Sequence, residues 1–236
     1  MKIAIMQPYF MPYIGYFSLI KNVDKFVFFD TVQYINKGWM NRNRILSQSK
    51  EGVGYITVPV KKASRDMLIK DTFIDADKNW KEKILGQLQF YKKKAPYYFR
   101  TYKLVEEILN YDTNKISELN IYTIKRICAY LDINTEFEIF STGKIQIDKV
   151  NAPDEWALEI SKALKAKQYI NQPGGQSFFD KKKYDNAGID LKFINVNLKA
   201  YKTFSDVFIP GLSIVDVLMF NTSDEINKLL DDFKLF

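Results

Sequence analysis

Histidine is absent from this chain of 236 residues, and cysteine occurs once. The first absence excludes His-dependent triads, histidine metal sites and imidazole acid–base chemistry. The lone Cys128 cannot form an internal disulfide. It falls on the apolar side of a helical stretch, where a buried small hydrophobe is expected and a catalytic thiol is not. Acid–base work is left to Asp, Glu, Lys or Tyr. Any metal would rest on carboxylates and carbonyls, as Mg²⁺ accepts, and no metal site is assigned. Arginine is scarce as well, five against thirty lysines. The lysines are scattered, so the net charge of +7 reads as compositional bias and not as a stripe tracking nucleic-acid phosphate. No run of eighteen apolar residues occurs, so no membrane span is expected. Lys2 followed by a strand is not a cleavable leader, and a cytoplasmic location is the default.

The chain is 47% hydrophobic and 15% aromatic, enough to bury a proper core. It is expected to form a single domain over residues 1–236, with a helical insertion at about 79–131. The organising stretch is MKIAIMQPYFMPYIGYFSLI. Ile3, Ala4 and Ile5 read as a buried strand, a Pro-rich aromatic turn follows, and a helix runs from about Tyr13 to Lys21. A strand passing through such a loop into a helix places free N–H groups at the sheet's carboxyl edge, where anionic ligands bind in open α/β sheets. KFVFFD is a second strand, parallel to the first because a helix lies between them. Asp30 then stands at a strand's carboxyl end, either as a ligand contact or as the cap of the following turn.

In WMNRNRIL, read as an extended segment after a loop at Lys37–Trp39, Asn41 and Asn43 face one way and Arg42 and Arg44 the other. A guanidinium fork suits phosphate or carboxylate, and the alternative is a structural ion-pair network. Tyr55 to Val60 is a third strand with Pro59 near its end. Lys61, Lys62, Ser64 and Arg65 follow as a basic loop, either solvated or touching phosphate. Helical periodicity then dominates to Leu131, broken at Ala95–Pro96. Glu136–Phe140 is a strand, and Pro153 opens a helix with Asn151 as a candidate cap. A short strand leads into the Pro-Gly-Gly turn, whose Gly174 and Gly175 would admit a close backbone approach. LKFINV is a further strand. In FIPGLSIVDVLMFN, Ser213 and Asp216 form a capping-box-like start, or else a helix end aimed at phosphate. Asp224–Phe236 is expected to close the chain as one amphipathic helix. These elements make an α/β fold, Rossmann-like, with a mostly parallel open sheet and a helical layer or insertion.

Together, QPYFMPYIGYFSLI, WMNRNRIL, ITVPVKK, YKKKAPYYF, NQPGGQSFFD and FIPGLSIVDVLMFN resemble the WbqC-like family over nearly the whole chain and in the same order. That family is associated with bacterial gene clusters for surface polysaccharide (O-antigen) biosynthesis. The resemblance implies a cytoplasmic step on a sugar precursor. A looser similarity joins Tyr13-Ile14-Gly15-Tyr16 and Gly211-Leu212-Ser213-Ile214 to the two phosphate-contacting motifs of HIGH-type nucleotidyltransferases. Both histidines of the first motif are tyrosines here, and a phenol donates a hydrogen bond without carrying a proton as imidazolium does.

The expected function is an enzyme that modifies a nucleotide-linked amino sugar, most simply by N-acyl or aminoacyl (amide) transfer. Asp30, Asp216 and Tyr16 are the catalytic candidates. Gln7, Tyr9, Tyr13, Gly15, Lys37, Asn41, Arg42, Arg44, Gly174, Gly175 and Ser213 would hold substrate and phosphate. No cofactor is fixed, with ATP/Mg²⁺ or an acyl donor as the options, and an acyl carrier protein is a candidate partner. The alternatives are a non-catalytic nucleotide-sugar-binding or scaffold protein, and a nucleotidyltransferase with a degenerate motif. Nucleic-acid binding is not expected, because most aromatics lie at core periodicity. The sequence leaves the oligomeric state open.

Overall fold

A computed structural model describes residues 1–62, 64, 66–204 and 207–236. Strand β1 (Lys2–Met6) lies inside a six-stranded sheet with β2 (Lys25–Phe28), β5 (Glu136–Ile139), β6 (Gln168–Asn171), β7 (Asp190–Val196) and β8 (Phe233–Leu235). The order is β5-β2-β1-β6-β7-β8, and only β8 runs antiparallel. Alternation sends neighbouring side chains to opposite faces. Ala4, Phe26 and Phe28 enter one core, while Ile3, Ile5 and Val27 enter the other.

Helices cover both faces. On the first lie α1 (Ile14–Lys21), α3 (Tyr98–Leu109), α4 (Ile116–Tyr130), α7 (Ile214–Phe220) and α8 (Ser223–Leu230). On the second lie α5 (Glu155–Ala163) and α6 (Lys181–Asn186). The mostly parallel sheet, buried on both sides, is the Rossmann-like arrangement. Helix α2 (Trp80–Leu88) precedes α3 and α4 with no strand between them. Cys128 is buried on α4, and desolvation pushes its thiol well above the usual range.

The topology fixes where a cleft can form. From β1 the chain proceeds outward through β2 to β5, then returns to the other side of β1 to lay down β6 and β7. The direction of strand addition reverses between β1 and β6. The loops leaving the carboxyl ends of these two strands diverge and leave a crevice there.

The segment after Trp39 is extended, as the sequence reading has it: strand β3 (Arg42–Leu46) pairs antiparallel with β4 (Val53–Thr57) in a separate two-stranded sheet. Three elements differ from the sequence reading. The third strand begins and ends earlier than Tyr55–Val60 and never joins the main sheet. The terminal helix stops at Leu230, because Phe233–Leu235 pairs with the open edge of β7 (Ile194 with Leu235, Val196 with Phe233). Backbone pairing with β7 there replaces helix continuation. Helix α5 starts at Glu155, after Pro153, and its carboxylate accepts from the backbone N–H groups of Asn151 and Ala152, so Asn151 is not the side-chain cap.

Candidate functional site

The β1–α1 turn is held from three sides. Asn43 on β3 donates to the carbonyls of Phe10 (3.1 Å) and Met11 (2.9 Å). Ser213 Oγ donates to Met11 O at 2.7 Å, and Ile214 N–H donates to Pro12 O at 2.9 Å. From the hairpin side, Phe10 N–H donates to Trp39 O at 2.9 Å. Met11 takes a positive φ of 42° within this frame. The turn is thus a fixed wall, set by β3 and by the loop before α7.

Across the crevice, Asn171 and Gln172 follow the apolar run of β6. Asn171 donates to Tyr169 Oη (2.9 Å) and accepts from Gln172 N–H (2.7 Å). Gln172 bridges the two walls: its Oε1 accepts from Tyr13 Oη at 2.7 Å, and its Nε2 donates to Gly15 O at 2.8 Å. These bonds join residues 159 and 157 positions apart.

Between the walls lies a cavity of about 570 Å³, lined chiefly by Tyr9, Tyr13, Tyr16, Trp39, Asn43 and Asn171, with Gln172, Gly174, Gly175 and Gly211 completing the rim. A second chamber of about 380 Å³ adjoins it and shares Met6, Tyr9, Asn171 and Gly175. Its far wall is apolar, with Phe29, Trp156, Phe178 and Phe179. Among the described residues, no charged side chain lines either chamber. Arg44 stands just outside, donating through Nη2 to Gly211 O (3.2 Å), with its guanidinium 5.9 Å from the Trp39 ring centre.

The phenols of the cleft are neutral donors at pH 7. Burial pushes Tyr13 up to about 12, helped by the neighbouring Tyr9, and it raises Tyr9 as well. Burial holds Tyr16 well above the usual phenol range, and its hydroxyl is already committed to Gln7 O at 2.8 Å. Tyr9 donates to Gln7 Oε1 at 3.2 Å.

Several residues named from sequence converge here: Gln7, Tyr9, Tyr13, Tyr16, Gly174 and Gly175 line one chamber or both. Others take different places. The Gly15 α-carbon is covered by the Tyr13 ring, since a Cβ there would lie 2.4–2.6 Å from three of its atoms. Its lack of a side chain makes room for that ring. Ser213 is fully buried as the cap of α7, accepting from Val215 N–H, so it caps the helix alone and neither bond of the expected capping box forms. Its partner Asp216 turns into the core, where its two oxygens accept from Tyr91 Oη (2.7 Å) and Tyr201 Oη (2.5 Å).

Asp30 is also buried, and its oxygens accept from Ser141 N–H (3.1 Å) and Ser141 Oγ (2.6 Å). Neither carboxylate lines the cleft. Asn41 braces the hairpin through Val58 O, and Lys37 sits exposed on a turn with φ of 59°. Arg42 and Arg44 share one face of β3 yet part company, with Arg42 4.4 Å above the Tyr55 ring. Arg65 of the basic loop lies outside the described residues. Gly174 and Gly175 sit in a 3-10 turn with no positive φ, where a Cβ on Gly174 meets open space.

Sequence reasoning passed over Trp39, Asn171 and Gln172. The available signal was two amides placed where the apolar run of β6 ends and before Pro-Gly-Gly. Among the described residues, no group of three or more His, Cys, Asp or Glu side chains could hold a metal ion, and no helix is long and apolar enough to cross a membrane.

Fold and cleft define a Rossmann-like α/β protein with an aromatic- and amide-lined crevice at its topological switch point. The chain belongs to the WbqC-like protein family, whose model matches residues 7–228. A protein of Mycobacterium tuberculosis, described as uncharacterized protein Rv1507c, is 30% identical over 227 residues, covering 95% of each chain. No solved structure matches the chain.

Proposed function

We propose that the chain binds a nucleotide-linked sugar in this crevice and serves surface polysaccharide (O-antigen) precursor biosynthesis from the cytoplasm. The observation that carries the reading is the lining. Flat aromatic faces and fixed amides at a switch point suit a base or a sugar ring, with Arg44 at the rim for the attached phosphates. The pathway rests on the association of the WbqC-like family with such gene clusters.

The paired chambers favour a second substrate, and the reaction that uses both is amide formation on an amino sugar. The free amine attacks the carbonyl carbon of an acyl thioester, the C–S bond breaks, and the departing thiolate takes up the proton released by the amine. The neutral phenols would contribute hydrogen bonds, since none of them ionises near pH 7. A thioester donor would come from an acyl carrier, and ATP/Mg²⁺ activation of a free acid is the other route. The specific observation favouring a purely binding role is that both buried carboxylates are saturated by donors away from the cleft.

The test is a thermal-shift and calorimetric screen with UDP- and dTDP-amino sugars, using wild type and Trp39→Ala. A true ligand at about a hundred times its Kd stabilises by about 2.7 kcal/mol. The expected result is saturable binding that Trp39→Ala weakens at least tenfold. Absence of binding by every sugar nucleotide would overturn the reading. Mass spectrometry of a bound amino sugar with acyl thioesters then separates the enzyme from the binding protein.

A further inference from the structure

A second cavity, of about 680 Å³, lies apart from the crevice, and no residue lines both. Its polar wall is formed by Gln33, Tyr34, Asn36, Lys61, Lys62 and Ser64. Tyr34 is 7% exposed, yet its hydroxyl has no hydrogen-bond partner. A buried polar atom without a partner is uncommon in a native fold and calls for a cause.

The charged side chains described around that hydroxyl are all cationic. Burial pushes the Tyr34 phenol up to about 12 although the Arg42 guanidinium beside it pulls the other way, so Tyr34 is an O–H donor at pH 7. Arg42 Nε is likewise buried without a partner. Among the described residues, neither Lys61 nor Lys62 is in an ion pair. Asp75 feels the charge of Lys61, but its own partner is Lys78 at 3.0 Å. Among the described residues, no carboxylate lines the cavity. Two ammonium groups and a partnerless phenol O–H on one cavity suit an acceptor bearing several oxygens and negative charge.

We infer that this cavity is a binding site for a phosphate or diphosphate group, with Tyr34 as the positioned neutral donor and Lys61 and Lys62 as its charged partners. The site is separate from the crevice, so it stands or falls independently of the sugar-nucleotide reading. Two sources carry this chemistry: the diphosphate of a sugar nucleotide, and the phosphopantetheine arm of an acyl carrier.

Inorganic pyrophosphate is the first probe, titrated into the full chain by calorimetry at low ionic strength. Because the Tyr34 hydroxyl makes no hydrogen bond in the fold, Tyr34→Phe removes none and should melt no lower than wild type. The expected result is saturable binding that Tyr34→Phe weakens at least fivefold and Lys61→Ala/Lys62→Ala at least tenfold. Trp39→Ala, which alters the crevice, should leave pyrophosphate binding unchanged. UDP and 4′-phosphopantetheine are then added as competitors, and whichever displaces pyrophosphate identifies the source. Displacement by neither assigns the site to free phosphate or diphosphate. Binding that is absent, or that survives in Tyr34→Phe at full strength, overturns the inference.

Discussion

The fully buried Asp216 offers the sharpest quantitative test of the packing around the crevice. Its carboxylate accepts from Tyr91 and Tyr201, and both bonds favour the charged form, yet desolvation outweighs them and lifts the acid from 3.8 to about 6. The folded chain therefore holds this proton more tightly than the unfolded chain does. Its contribution to stability is greatest below pH 3.8 and is lost as pH rises through about 6. The two values differ by about two pH units, and at 1.36 kcal/mol per unit the loss is about 3 kcal/mol.

Other groups titrate over the same range, so the useful quantity is a difference between two proteins. Asp216→Asn keeps the shape, lets one amide oxygen accept from a tyrosine, and cannot ionise. Urea unfolding of wild type and variant at pH 4, 5, 6 and 7 gives the stability of each. Wild-type stability minus variant stability should fall by about 2.4 kcal/mol from pH 4 to pH 7, with most of the fall between pH 4 and 6. A difference that stays flat would show that the carboxyl is ionised throughout. The tyrosine pair would then outweigh burial, contrary to the reasoning.

Tyr91→Phe should destabilise by about 3 kcal/mol in the same unfolding assay, because it strips a donor from Asp216 and leaves the buried Leu46 N–H without its acceptor at 2.8 Å. Tyr201→Phe, at a half-buried position with a single such bond, should cost less. Gly15→Ala forces the Tyr13 ring away from its place, breaks the Tyr13–Gln172 bond, and should cost about 1–3 kcal/mol by overpacking. Calorimetry should show that the same variant binds the sugar nucleotide at least tenfold more weakly. Ser213→Ala loses both the α7 cap and the tie to Met11, and its urea midpoint should report about 1–2 kcal/mol of lost stability.

The parallel sheet was legible because local pattern encodes it: β1 and β2 are apolar runs, and the helix between them dictates parallel pairing. The terminal strand was not, because Ile226, Leu229, Leu230 and Phe233 keep helical spacing although the helix ends at Leu230. What converts Phe233–Leu235 to a strand is the free edge of β7, a partner nearly forty residues earlier in the chain. The crevice divides in the same manner. Its aromatic turn and glycine pair stand out locally, whereas the role of Gln172 depends on Tyr13 and Gly15 across the sheet. Asp30 and Asp216 misdirect the sequence reading because a carboxylate near a strand or helix end looks alike whether it meets a ligand or a buried hydroxyl. Only the fold supplies Ser141, Tyr91 and Tyr201.

The tyrosines of the opening turn bear on more than this one wall. In a phosphate-binding strand–loop–helix unit, glycine keeps the backbone bare so that an anion can approach it. Here Gly15 is bare for a different tenant, the ring of Tyr13, which leans across it to reach Gln172. Tyr13, whose phenol stays neutral at pH 7, fills the space beside Gly15. Under the proposed function, the negative charge of a sugar nucleotide is met away from the start of α1. Two cations stand outside the crevice: Arg44 beside Gly211 on one side, and Arg42 beside Tyr34 on the other. Both stand on β3, so the segment read from sequence as extended is the strand that carries positive charge to both places.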